Sequence, residues 1–199
     1  MSCARGKGLS RMKKLLSCVV VVGALCCGSV ARAGDASDRV VGRVEALMKV
    51  PPKATAVEIG ESLFAYRIIA WSVLPDPNGK YDRVSYGEYE TVFTALLRKN
   101  LVSRLGELKG ARMKWGDEVV KGNVVVLSAR AVKGKCGEKS VDLEFVVEWV
   151  DGAWRVTDVV IEGASTVKTY RSQVKKMIDK GGFGAMMEKL RGKLAAEKG

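Results

Sequence analysis

The sequence predicts an α+β domain in which a curved antiparallel sheet of four to five strands is packed by N-terminal and C-terminal helices. Three observations lead to this prediction. Apolar residues recur at three- and four-residue steps over residues 38–108, alternate with polar residues over 111–162, and return to helical spacing after Gly163. Helices placed before and after one block of strands favour segregated layers over alternating βαβ units.

The first 33 residues have the order of a secretory signal peptide. Five basic residues precede the apolar run Leu15–Cys27, and Ala31-Arg32-Ala33 follows with small residues at the positions that a signal peptidase recognises. We therefore predict cleavage after Ala33, one mature domain over residues 34–199, and a location in the periplasm.

A membrane anchor and a lipoprotein signal are the alternatives to a cleaved signal peptide. The apolar run is shorter than the roughly 20 residues that a spanning helix needs. A lipoprotein cysteine usually follows a small residue, whereas Cys26 follows Leu25 and Cys27 follows Cys26. Both alternatives are therefore disfavoured.

Removal of the signal changes the charge and the cysteine count. The chain has 34 basic and 22 acidic residues, and the six basic residues of the signal leave 28 against 22, a formal charge of +6 instead of +12. Because the lysines are scattered and form no stripe, we expect no nucleic-acid partner. Four of the five cysteines lie in the signal, so only Cys136 remains and no intramolecular disulfide can form.

Histidine is absent from the chain, which removes the commonest general base and the commonest zinc ligand. Asp158 and Glu162 are a carboxylate pair that could serve acid–base chemistry. Asp158 is better suited to binding a neighbouring backbone group or Arg155. Without a histidine or a second motif, we predict no enzyme activity, no metal site and no cofactor.

Helical spacing in the N-terminal half predicts three helices, over residues 38–50, 55–74 and 86–108. Pro51-Pro52 ends the first helix, and a proline-rich loop ends the second. Thr55 with Glu58, and Ser85 with Glu88, have the spacing of a capping box, which predicts where the last two helices begin.

The period of two then predicts four strands, over residues 111–115, 118–133, 139–150 and 153–162. Asp151-Gly152 has the composition of a hairpin turn, which favours an antiparallel meander. After Gly163, two further helices are predicted on either side of Gly181-Gly182, and Ser165 is suited to cap the first of them.

The stretch from Trp149 to Lys193 resembles the C-terminal region of MlaC-type proteins, also called the toluene-tolerance family. The family pattern is a tryptophan strand, an aspartate, an E-G-x-S turn, an aromatic helix that ends near a glycine, and a short terminal helix. The matching elements are Trp154, Asp158, Glu162-Gly163, Ser165, Tyr170-Arg171-Ser172-Gln173 and Gly181. The resemblance covers about residues 60–193, and residues 50–85 are less similar than the rest.

This resemblance implies a periplasmic carrier that binds a phospholipid in an apolar cavity. It also implies shuttling between an outer-membrane lipoprotein complex and an inner-membrane ABC transporter complex, which maintains outer-membrane lipid asymmetry. A carrier of another lipid, such as a polyisoprenoid or a sterol-like molecule, is a close alternative. A small-molecule enzyme on the same scaffold and an interaction module with a solid core are further alternatives.

We expect the lipid to lie between the meander and the helices. The alternating residues of 141–149 supply one wall, and the leucine stripe of 86–108 supplies a second. In residues 153–162, either the face of Val156 and Val160 or the face of Val159 and Ile161 could line the pocket. The expected lining residues are Leu97, Leu101, Phe145, Val147, Trp149, Val156, Val159, Ile161, Val167 and Tyr170.

The mature protein should begin at or near Gly34, because the residues before it have the order of a cleaved signal. The intact mass of protein recovered from the periplasm checks this expectation. Acylation at Cys26 or Cys27, or a protein that spans the inner membrane, would contradict it.

Overall fold

The computed structural model describes residues 33–76, 81–134 and 139–196, and confirms an α+β fold with a curved, open, antiparallel sheet. The elements are α1 (Ala33–Met48), α2 (Lys53–Leu63), α3 (Tyr66–Val73), α4 (Arg83–Glu107), β1 (Arg112–Lys121), β2 (Val124–Lys133), β3 (Lys139–Val150), β4 (Ala153–Ile161), β5 (Ala164–Ser165) and α5 (Thr166–Ala196). The predicted signal before Ala33, and Cys136, lie outside the described residues.

The prediction of one strand over residues 118–133 is wrong, because a hairpin divides this stretch into β1 and β2. Lys121 pairs with Val124 across the turn, and Gly122 has a φ of 63°, in the left-handed region that such tight turns require. The valines on both sides of the turn continue the strand pattern and obscure it. β1 forms one edge of the sheet, where Val119 and Val120 are exposed.

A β-bulge in β4 decides which side chains of this strand face the helices. Val146 pairs with Asp158 and the next residue, Val147, pairs with Val156, so Thr157 is the additional residue. Val156 and Val159 therefore lie on the same face, and both are buried. The prediction that Val156 shares a face with Val160 is therefore wrong, since the bulge places Val156 on the face of Val159.

The prediction of one helix over residues 55–74 is also wrong, because α2 and α3 are separated at Phe64 and Ala65. Phe64 adopts extended backbone angles, and the backbone N–H of Ala65 donates to the carbonyl of Val156 at 2.9 Å. Phe64 also forms an isolated parallel bridge with Val156. The helical hydrogen bonds lost at the break are thus replaced by pairing with β4.

The residues at which α2 and α4 begin differ from those that the capping boxes predict. The N-cap of α4 is Asp82, whose carboxylate accepts backbone N–H groups two and three residues further along the chain at 2.9 Å. Ser85 donates its hydroxyl to the same carboxylate, and this bond is the largest cause of the lowered pKa of Asp82. α2 begins at Lys53 after Pro52 with no side-chain cap, so Thr55 does not begin that helix.

Gly182 divides α5 into two arms, which confirms the predicted pair of helices. Its φ of 76° and ψ of 177° lie far from helical values. We call residues 166–181 the first arm and residues 183–196 the second arm. Phe183 packs against Tyr81 with ring centroids 4.8 Å apart. The buried side chains of the second arm, which join the hydrophobic core, are Met186, Met187 and Leu190.

Gly182→Ala should lower the free energy of unfolding by about 1–3 kcal/mol, because non-glycine residues rarely adopt these backbone angles. A Cβ atom at Gly182 would meet no atom within 4 Å, so backbone strain alone should produce the loss. Urea denaturation measures it. Gly184→Ala is the control, since Gly184 is helical and equally open, and this change should be neutral or stabilising. Equal losses in both variants would contradict the strain argument.

Candidate functional site

The central helix α4 packs against each of the other four helices. Its apolar stripe is almost completely buried, as the helical spacing of the sequence predicts; the members are Phe93, Leu96, Leu97, Leu101 and Leu105. This stripe forms the wall that two cavities share.

The first cavity, which we call the helical cavity, has a volume of about 380 Å³ and lies between α4 and both arms of α5. This volume falls within the roughly 300–1,000 Å³ typical of small-molecule sites. The lining is mainly apolar and consists of Phe93, Leu96, Leu97, Asn100, Tyr170, Gln173, Val174, Met177, Leu190, Lys193 and Ala196.

The second cavity, which we call the sheet cavity, has a volume of about 250 Å³. Leu101 and Leu105 of α4, with Leu108 directly after this helix, face the strand residues across the cavity. These strand residues are Leu143, Val159 and Ile161, and the other lining residues are Phe64, Arg104, Glu107, Val141 and Thr166.

The two cavities follow each other along the α4–α5 contact. Leu97 lines the helical cavity, and Leu101, one helical turn further on, lines the sheet cavity. On α5 the same relation holds between Tyr170 and Thr166. We call this continuous contact with its two cavities the seam.

The start of α5 is attached to β4 through Asp158. One carboxylate oxygen accepts the backbone N–H of Val167 at 3.0 Å, and the other accepts the hydroxyl of Ser165 at 2.5 Å. The Ser165 oxygen in turn accepts the backbone N–H of Lys168 at 3.0 Å, which confirms Ser165 as a cap of this helix. A carboxylate at a helix N-terminus also has a favourable interaction with the helix dipole. The position of the first arm on the sheet therefore depends on this small network.

Glu162, the other carboxylate suggested for acid–base chemistry, and Arg155, the suggested partner of Asp158, also bind the backbone. Glu162 accepts the N–H of Asp142 at 2.6 Å, and Arg155 donates to the carbonyl of Glu61, not to Asp158. Neither Asp158 nor Glu162 lines either cavity. These contacts give both carboxylates a structural role.

Burial is the largest cause of the raised pKa values of four tyrosines, which keeps them as neutral phenols; these are Tyr66, Tyr81, Tyr86 and Tyr89. None of the four lines the seam. In the described ranges, no three side chains of the types that bind metals come together, and no helix is both long and apolar enough to cross a bilayer.

The family model described as MlaC protein matches residues 53–192. The chain belongs to the MlaC family. Among solved structures, it is similar to the phospholipid-binding protein from Ralstonia solanacearum in complex with a phospholipid, with a TM-score of 0.67 and 18% sequence identity. The alignment covers 83% of this chain and 98% of the other, and at this identity it shows a common fold. A search of curated proteins found no match.

Five of the ten expected lining residues of this MlaC-family chain lie on cavity walls. Leu97 and Tyr170 line the helical cavity. The sheet cavity contains the other three, which are Leu101, Val159 and Ile161. Contact of these residues with a lipid stays a prediction.

The other five expected residues line neither cavity. Phe145, Val147 and Val156 are fully buried in the core between the sheet and the helices, and Val167 is partly buried beside it. Trp149 is 49% exposed near the end of β3, where its ring lies edge-on to Trp154.

Sequence reasoning missed several lining residues, and only some of them were accessible from the pattern. Phe93 and Leu96 belong to the same helical stripe as Leu97, so their spacing was a sufficient clue. Leu190 and Lys193 reach the helical cavity only because the chain changes direction at Gly182. No local pattern indicates that direction.

Asp158→Ala should lower the free energy of unfolding by about 1–3 kcal/mol, because it leaves the Val167 N–H and the Ser165 hydroxyl without their acceptor. Urea denaturation followed by circular dichroism measures the loss. Asp179→Ala is the control, since Asp179 forms an exposed pair with Lys175 within one helix and should cost about 0.5 kcal/mol or less. A loss at Asp158 no larger than at Asp179 would show that the network does not hold α5.

Proposed function

We propose that this MlaC-family protein is a periplasmic carrier that binds a phospholipid with its acyl chains in the seam. The observation that carries the proposal is the succession of two apolar cavities between α4, α5 and the sheet. Membership of the MlaC family and the fold shared with a phospholipid-binding protein support it. The protein is accordingly proposed to bind and transport lipid and to catalyse no reaction.

The energetics of acyl chains explain why such a carrier needs an apolar interior. Each exposed CH₂ group costs about 0.8 kcal/mol in water, so two long chains cost on the order of 20 kcal/mol. The leucine stripe of α4, with Val159 and Ile161 of β4, replaces water with hydrocarbon contacts.

A lipid with two long chains requires the walls of the seam to move apart. Met177 is flexible and can adapt to chains of different shape. The second arm joins the rest of α5 at a glycine, so its position can change with little rearrangement of the first arm. We propose that these two features accommodate the cargo.

The proposed location and partners follow from the sequence and the family. Residues 1–33 have the order of a cleaved signal, which would release residues 34–199 into the periplasm as one domain. The partners we propose are an outer-membrane lipoprotein complex and an inner-membrane ABC transporter complex, between which the protein carries phospholipid to maintain lipid asymmetry. The resemblance to MlaC-type proteins supports this assignment.

Protein purified from cells without detergent should carry phospholipid. Native mass spectrometry, with organic extraction and lipid analysis of the same sample, tests this proposal. A polyisoprenoid or sterol-like cargo would favour the other carrier function. Protein that holds no lipid and takes none from vesicles would contradict the carrier function itself.

In the same assay, Met177→Glu and Ile161→Glu should each reduce the lipid load. Each residue is half-buried and lines one cavity, so a carboxylate there places charge or trapped water beside the acyl chains. Circular dichroism checks that both variants fold.

The neighbouring residues provide matched controls. Ile178→Glu and Val160→Glu change half-buried side chains that line neither cavity, and these variants should keep their lipid. If folded Met177→Glu and Ile161→Glu both retain the wild-type load, the acyl chains lie elsewhere.

A further inference from the structure

The described lining of the helical cavity is apolar except for the hydroxyl of Tyr170 and three further polar side chains. They are Asn100 of α4, Gln173 of the first arm and Lys193 of the second arm. Gln173 and Lys193 are exposed and Asn100 is half-buried, so these groups lie where the cavity meets water. None of the three has a hydrogen bond or ion pair within the part of the chain that the structure describes.

We propose that Lys193, together with Asn100 and Gln173, binds the phosphate of the lipid headgroup at this opening. The inference rests on the proposed function and assigns the headgroup end of the same site. A phosphate diester offers only hydrogen-bond acceptors and a negative charge. An ammonium group and two amide NH₂ groups supply a positive charge and donors. Among the described residues that line the helical cavity there is no carboxylate, and Lys193 is the one charged side chain.

The spacing along each segment suits an amphiphilic ligand. Lys193 follows the lining residue Leu190 by three positions, and Asn100 follows Leu96 by four. Residues three or four apart are neighbours on one helix face, so each polar group lies one turn from an apolar wall. A phosphate held at these groups therefore leaves the acyl chains next to hydrocarbon.

The inference predicts selection for a phosphate-bearing headgroup over a neutral one. The probes are dioctanoyl phosphatidylglycerol and dioctanoylglycerol, which share the same tails, titrated into delipidated mature protein by calorimetry. Lys193→Met removes the charge but retains an apolar stem. We expect its Kd for the phosphate lipid to rise roughly three- to tenfold, and its Kd for dioctanoylglycerol to stay unchanged. The difference should shrink at 1 M salt, where the Debye length is about 3 Å.

The matched control is Lys168→Met, because Lys168 is exposed, belongs to the first arm and lines neither cavity. Its Kd values for both probes should equal those of the wild type. Asn100→Leu and Gln173→Leu should each raise the Kd for the phosphate lipid and leave the Kd for dioctanoylglycerol unchanged. The rise should be smaller than that in Lys193→Met. Circular dichroism confirms that each variant folds.

Five outcomes would overturn the headgroup assignment. An unchanged Kd for the phosphate lipid in Lys193→Met shows that Lys193 does not bind the phosphate. An equal loss for both probes shows that Lys193 acts through packing. Binding of inorganic phosphate as tight as that of the phosphate lipid, lost in Lys193→Met, shows a site for a free anion. Wild-type protein that binds neither probe contradicts the proposed function as well, whereas wild-type protein that binds both probes equally contradicts the headgroup site alone.

Discussion

The joint between β4 and α5 determines where the walls of both cavities stand. The carboxylate of Asp158 accepts hydrogen bonds from the backbone N–H of Val167 and the hydroxyl of Ser165. The bulge at Thr157 sets the directions in which the side chains of Asp158 and Val159 point. Asp158 is thereby directed to the start of α5, while Val159 turns into the sheet cavity. One short segment thus places a strand wall of the sheet cavity and orients α5, which forms a wall of the helical cavity. The helical cavity depends on the same joint, since Tyr170 follows only one turn later.

The fold was predictable from the sequence wherever one period continues undisturbed. The leucine stripe of α4 and the alternation in β3 are long and regular, so their type and buried faces follow from spacing alone. The two errors in the predicted elements have different causes. The break between α2 and α3 depends on the hydrogen bond from the backbone N–H of Ala65 to the carbonyl of Val156, and no local sequence pattern predicts this bond. The hairpin at Gly122 was accessible, because glycine followed by asparagine is a known turn pair.

The candidate site was predictable to a smaller extent, because it combines segments that meet only in the folded chain. Alternation along β3 continues to Trp149, but this residue lies near the end of the strand and remains exposed, while its paired neighbour Trp154 is buried. The alternation predicts which side chains of β3 lie on the apolar face of the sheet. It does not predict where along the strand the helices stop covering that face. The contributions of Leu190 and Lys193 depend on the angle at Gly182, so they required the structure.

The outer strand β1 has a consequence for how the molecule behaves when crowded. A strand at the edge of a sheet can recruit a strand from another molecule, and the exposed Val119 and Val120 would favour such growth into aggregates. The same strand contains an irregularity between Trp115 and Glu118 and five charged residues, which are Arg112, Lys114, Asp117, Glu118 and Lys121. Charged side chains on an edge strand and a broken register both oppose edge-to-edge association. The charges and the irregular register of β1 therefore oppose fibre formation and favour dispersed molecules at high concentration.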